Sequence, residues 1–184
     1  MSNPADLLCA IQFAAERHRN QRRKDAEASP YINHPIAVAH LLATVGGVSD
    51  ISVLMAAILH DTIEDTGTTV EELRSLFGVE VAEIVSEVTD DKTLPKQRRK
   101  DLQVQLAPQK SHKAALIKIA DATCNLRDLV NTPPLKWSFE RRQEYVNWAT
   151  QVVARLRCDN ASLLDTFRSA RDPGTSAPVI SRSP

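Results

Sequence analysis

Glycine, aromatic side chains and net charge are all scarce in this chain, and each shortage narrows what it can be. There are only 5 glycines in 184 residues and aromatics make up 4%, while alanine and leucine are plentiful, a balance that favours helix. No internal repeat and no period-two alternation appears, so strands are not expected. The 23 basic and 23 acidic residues cancel, which excludes bulk electrostatic attraction to nucleic acid or to an anionic membrane. The three cysteines, Cys9, Cys124 and Cys158, are scattered and form no CxxC pair. That speaks against a thiolate zinc site, and an odd count without a framework fits a reducing cytosol. No apolar run approaches the roughly 18 residues of a membrane helix. The first residues, Met1 to Asp6, lack the charged and apolar regions of a signal peptide. A cytoplasmic protein is expected.

What remains is a series of helix signals. Leu7, Leu8, Ile11, Phe13, Ala14 and Ala15 give an apolar side to a helix from Ala5 to Arg19, with His18 read as a helix-end cation. A charged loop follows. Pro35 suits the first position of a second helix that stops at Gly46-Gly47. Ser49 or Asp50 caps a third, Thr69 to Glu72 forms a capping box for a fourth, and Val81, Ile84, Val85 and Val88 repeat at helical spacing. Asp91 to Lys100 reads as a turn, and a helix then runs to about Ala107. Further helices are expected over Ser111 to Val130, from the Ser138 cap to about Arg157, and from Asn160 to about Ala170. The expected fold is all-α: one domain over residues 1–171, with a disordered tail from 172 to 184 rich in Pro, Ser and Gly.

Two of these helices carry chemistry. The apolar run Val53 to Leu59 ends in His60-Asp61-Thr62-Ile63-Glu64-Asp65. If the helix continues, Glu64 lies below His60 and Asp65 below Asp61, so an imidazole and three carboxylates project from a strip that would otherwise be core. Unpaired charge is expensive to bury, and a metal ion is the natural compensation. The bland alternative is a solvated helix end. In the Ser111 to Val130 segment, Asp121 interrupts a buried-looking run, with Asn125 four residues on and Asp128 seven. It is either a carboxylate paired with an arginine such as Arg127, or a ligand followed by a substrate-binding amide.

His34 stands at a helix entrance, a good place for a rigidly held ligand. His34, His60, Asp61 and Asp121 together make a sulfur-free N/O set on three helices, suited to manganese, iron or zinc. Such an ion lowers the pKa of bound water, and Glu64 and Asp65 could orient that water or take its proton. Arg22-Arg23-Lys24 and the set Lys92, Lys96, Arg98, Arg99 and Lys100 are either solvated or an anion clamp for a phosphorylated substrate.

The ordered pattern His34, His60-Asp61, Asp121 resembles the HD phosphohydrolase superfamily. Arg22-Arg23-Lys24, Pro30 to Pro35, His60 to Thr66, Val88 to Lys96 and Asn125 to Leu129 further resemble the hydrolase domain of RelA/SpoT homologues. Within that group they are similar to the small free-standing alarmone hydrolases of the metazoan SpoT homologue type. The resemblance covers roughly residues 5 to 165 and implies an HD-domain helical bundle with a metal site between helices.

It further implies manganese-dependent hydrolysis of guanosine tetra- or pentaphosphate (ppGpp or pppGpp) at the 3′ position, to GDP or GTP and pyrophosphate. By the same resemblance one Mn2+ ion, with Zn2+ or Fe2+ as alternatives, is held by His34, His60, Asp61 and Asp121. Glu64 and Asp65 handle the water, and Arg23, Lys24, Asn125 and Tyr145 contact substrate. Members usually read Asp-Lys-Leu-Tyr-Asn where this chain has Asp121-Ala122-Thr123-Cys124-Asn125, which leaves pocket shape and base preference open. Adenine alarmones and the 2′-phosphate of NADPH are the alternative substrates, and a nucleotide-sensing module without catalysis is the alternative of another class. Oligomeric state is left open.

Overall fold

A computed structural model describes residues 3–172, so of the expected disordered tail 173–184 lie outside the described residues. The described chain is helical throughout: α1 (Pro4–Arg17), α2 (Asn33–Thr44), α3 (Ile51–Leu59), α4 (Thr62–Thr66), α5 (Val70–Phe77), α6 (Val79–Val88), α7 (Lys96–Leu106), α8 (His112–Asn131), α9 (Phe139–Arg155) and α10 (Ala161–Arg171), with one 3-10 turn at Ala107–Gln109. No strand occurs among the described residues, where Arg22 and Pro30 form an isolated antiparallel bridge. None of the described helices is long and apolar enough to cross a membrane.

α3 is the central post. Asp50 starts it by accepting a hydrogen bond from the Ser52 amide at 2.9 Å. Every residue over 52–59 is buried, because the helix is apolar on all sides and packs against α1, α2, α6 and α8 at once. α8 is the second buried element. Ser111 caps it, and its small residues Ala114, Ala115, Ala120 and Ala122 sit in the interior where α2 and α10 lie against it. Of the largest enclosed side chains, Leu42, Ile58, Leu59, Ile117, Ile119, Leu126 and Leu163 come from α2, α3, α8 and α10, and Leu73 comes from α5. Each contributes about 1.5–3 kcal/mol relative to exposure.

Local structure departs from expectation in four places. The third helix does not run through to Asp65: α3 ends at Leu59, His60 and Asp61 form a turn, and the short α4 follows. Gly67, at φ 75°, closes α4 in the left-handed region that glycine tolerates best. α2 begins at Asn33, so Pro35 occupies its third position rather than its first, where its missing N–H still deprives the helix of no bond. Within the segment read as a turn, α7 already starts at Lys96, directly after Pro95. At Thr69 only one arm of the expected capping box forms. The hydroxyl accepts from Glu72 N at 3.1 Å, but the Glu72 carboxylate is drawn away by an ion pair with Arg17.

Candidate metal and nucleotide site

His60 is the first residue past α3. Its Nδ1 donates to the Ala57 carbonyl at 2.8 Å, which turns Nε2 inward. That Nε2 is buried and has no aligned hydrogen-bond acceptor, although Asp61 Oδ2 lies 3.0 Å away and Asp121 Oδ1 3.9 Å away. His34, in the first turn of α2, brings Nε2 to 3.1 Å from Asp121 Oδ1. The nearest ligand atoms of His34, His60 and Asp121 thus lie within 4.8 Å of one another, a close trio that does not include Asp61. Asp61 stands beside it, its Oδ2 accepting a hydrogen bond from Tyr31 Oη at 2.6 Å. Asp121 pairs with histidine, and Asn125 Nδ2 donates to its Oδ1 at 2.6 Å, so the arginine pairing considered for it is not what forms.

Charge is partly offset within the group. Burial pulls the His60 imidazole down, but the Asp61 and Asp121 carboxylates outweigh it and raise the pKa to about 9. Burial pushes Asp61 and Asp121 up, and the two imidazoles outweigh it in turn, holding both below the usual carboxylate range. The proton on His60 compensates two buried carboxylates in the way a cation would. With two imidazole nitrogens and carboxylate oxygens, no sulfur, and one histidine tautomer set by a backbone carbonyl, the residues fit a divalent metal ion.

Beside this floor lies a cavity of about 550 Å³. Tyr31, Glu64 and Asp65 line it next to the buried cluster, and Arg23, Lys24, Lys92, Lys96, Arg99 and Arg141 supply positive charge. Lys92 forms an ion pair with Asp65 and lies 3.4 Å from Glu64 Oε1, and Arg99 Nη1 is 3.6 Å from that same oxygen. Burial, together with the Asp90 and Asp61 carboxylates, raises the Glu64 pKa despite Lys92. Lys96 is pulled down by burial and by its cationic neighbours Arg141, Lys100, Lys24 and Arg99. Crowded cations of this kind are relieved by an anion.

Asn125 and Tyr145 also face the cavity, while Arg23 is ion-paired with Asp128 and 3.2 Å from Asn125 Oδ1. Trp137 lines it too, its ring 5.7 Å from Tyr145 and covered by the Arg141 guanidinium. An aromatic wall next to a cationic one suits a nucleotide.

All ten residues singled out from the sequence fall in or beside this one site. Sequence reasoning missed Tyr31, Trp137 and Arg141. A signal was available: the chain has only two tyrosines, and both line the cavity. Ala122 and Cys124, where the family pattern is broken, are both buried in the core and line no part of the cavity. Burial pushes the Cys124 thiol up to about 12, so it behaves as a small apolar side chain. A second mixed trio, His112, Cys158 and Asp159, lies at the surface where α8 begins. There the positive end of a helix disfavours a cation, and the Asp159 side chain is 95% exposed.

Known proteins resemble the chain over most of its length. The HD domain family model matches residues 10–157. The guanosine-3′,5′-bis(diphosphate) 3′-pyrophosphohydrolase MESH1 of Danio rerio is 56% identical over 162 residues, spanning 88% of this chain and 90% of that protein. Its Homo sapiens counterpart is 54% identical over 167 residues, 91% of this chain and 93% of the other. A solved structure of a metazoan ortholog of SpoT that hydrolyzes ppGpp superposes with a TM-score of 0.90 at 44% identity, covering 95% of this chain and 98% of that one. The chain belongs to the HD-domain family, among the metazoan SpoT homologues.

Proposed function

We infer that the chain hydrolyses guanosine tetra- or pentaphosphate at the 3′ position, releasing pyrophosphate and leaving GDP or GTP. The observation that carries this reading is a metal-type trio set directly beside a cation-lined cavity of nucleotide size, with the Glu64 and Asp65 carboxylates in the wall. The high identity to pyrophosphohydrolases of that specificity supports it.

Manganese is the ion proposed for His34, His60, Asp61 and Asp121. When bound, a divalent ion supplies Lewis acidity toward water and phosphate oxygen. Glu64 and Asp65 are the proposed water-handling pair. Asp65, held by Lys92, is suited to orient a water and accept its proton. Glu64, whose pKa is raised, is suited to carry a proton toward the leaving oxygen. Arg23 and Lys24 are proposed to hold phosphates, joined by Lys96 and Arg141, with Asn125, Tyr145 and Trp137 enclosing the nucleoside.

The test is incubation of the purified protein with manganese and guanosine tetraphosphate, with products resolved by ion-exchange chromatography. Equal amounts of GDP and pyrophosphate are expected. Release of single phosphate, or binding without turnover, would contradict the reading. Adenine alarmone and NADPH run beside it rank the substrates by kcat/KM.

A further inference from the structure

His18 is 2% exposed, although it follows directly on α1, where a histidine ordinarily sits as a solvated helix-end cation. Its ring packs on Tyr31 with centroids 4.9 Å apart, and its Nδ1 lies 2.6 Å from Gln21 Oε1. The other end of Gln21 enters the site: Nε2 donates to Asp65 Oδ2 at 2.8 Å. The Gln21 backbone is fastened as well, its carbonyl accepting from Tyr31 N at 3.1 Å.

The direction of this chain of hydrogen bonds follows from chemistry. An ionised carboxylate only accepts, so Gln21 must turn its NH2 toward Asp65 and its oxygen toward His18. His18 Nδ1 must then carry a hydrogen. Its Nε2 is buried with no hydrogen-bond partner. The tautomer that fits is Nδ1–H, and the polarity runs from His18 through Gln21 to Asp65.

We propose that Gln21 is a positioning residue for the reaction, oriented by the buried His18, so that Asp65 is clamped from two sides with Gln21 on Oδ2 and Lys92 on Oδ1. The inference rests on the reading of Asp65 as a water-handling carboxylate. Without His18 the Gln21 oxygen loses its anchor, and the side chain is free to swing its amide away from Asp65, which leaves the carboxylate held by Lys92 alone. Tyr31 ties this relay to the metal floor, since it packs on His18 and donates to Asp61.

The test compares variants at both positions. Gln21→Met keeps the volume and removes both bonds, and is expected to lower kcat about tenfold with KM changed less than about twofold. His18→Asn retains a donor near Nδ1, whereas His18→Phe retains only the packing on Tyr31. The relay requires Asn to be the more active of the two, and a packing role requires Phe. Nitrogen-15 NMR of His18 in the whole protein gives a readout free of catalysis: the neutral ring carries its hydrogen on Nδ1 and has a bare Nε2. An Nε2–H tautomer, or a Phe variant as active as wild type, overturns the relay. Wild-type protein without turnover speaks against the functional reading alone, and the spectrum still decides the relay.

Discussion

The floor and the rim of the site are built in opposite ways. The floor residues His34, His60 and Asp121 stand in or at the ends of α2, α3 and α8, the helices that make the core, and the two histidines are almost fully buried. The rim residues Arg23, Lys24, Lys92, Trp137 and Arg141 come from loops and the exposed start of α9, with long side chains partly in solvent. The floor has fixed geometry and an excess of carboxylate charge, whereas the rim has an excess of positive charge and adaptable reach. Packing is used where an ion demands fixed ligand distances, and solvated cations where a flexible polyphosphate must enter and leave.

Substitutions should separate the two regions. The largest effect is expected in the floor: His60→Ala should lower kcat at least about a thousandfold and reduce bound metal, read by turnover and by elemental analysis. Asp65→Asn, in the wall between floor and rim, should lower kcat about a hundredfold or more while metal content stays at the wild-type level. At the rim, Arg141→Ala should raise KM about tenfold with kcat nearly unchanged, and added salt should weaken substrate binding in wild type more than in the variant. If Arg141→Ala reduces metal content, or His60→Ala only raises KM, floor and rim are not separate.

Acidity acts on the floor in a definite direction. The His60 pKa is raised from 6.5 to about 9, so below that pH a proton competes with any metal. Metal affinity, measured by competition with a chelator, should therefore tighten about tenfold per pH unit up to pH 9 and then level off. In the metal-free fold the sign is opposite. The stabilisation from charged His60 is fully present below pH 6.5 and is lost as pH rises through about 9. The smallest effect on activity is expected from Cys124→Tyr, which restores the family's aromatic in a filled core. It should destabilise by about 1–3 kcal/mol in thermal unfolding and leave KM unchanged.

Much of this arrangement was legible in the sequence because local signals specify it. Asp50, Ser111, Ser138 and Asn160 cap helices where their side chains foretell, and the unbroken apolar run of α3 foretells a central helix. Ligand candidates stood out as polar residues closing or interrupting buried runs. What escaped depends on tertiary contact. The turn at His60 and Asp61 has no local breaker, since neither residue is glycine or proline. His18 looks like a helix-end cation until Tyr31 and Gln21 fold over it. Glu72 has the spacing of a capping box, and only the nearness of Arg17 diverts it. Trp137 and Arg141 reach the cavity from a segment with no motif of its own, and no local pattern places them there.

The central claim, that a buried floor holds the ion independently of the rim, is tested most directly by equilibrium dialysis of manganese against the wild-type protein and Asp121→Asn. One ion per chain is expected for wild type, with affinity at least about a hundredfold weaker in the variant, which removes a ligand charge and leaves the fold intact by circular dichroism. Equal retention of manganese by the two proteins would contradict the account.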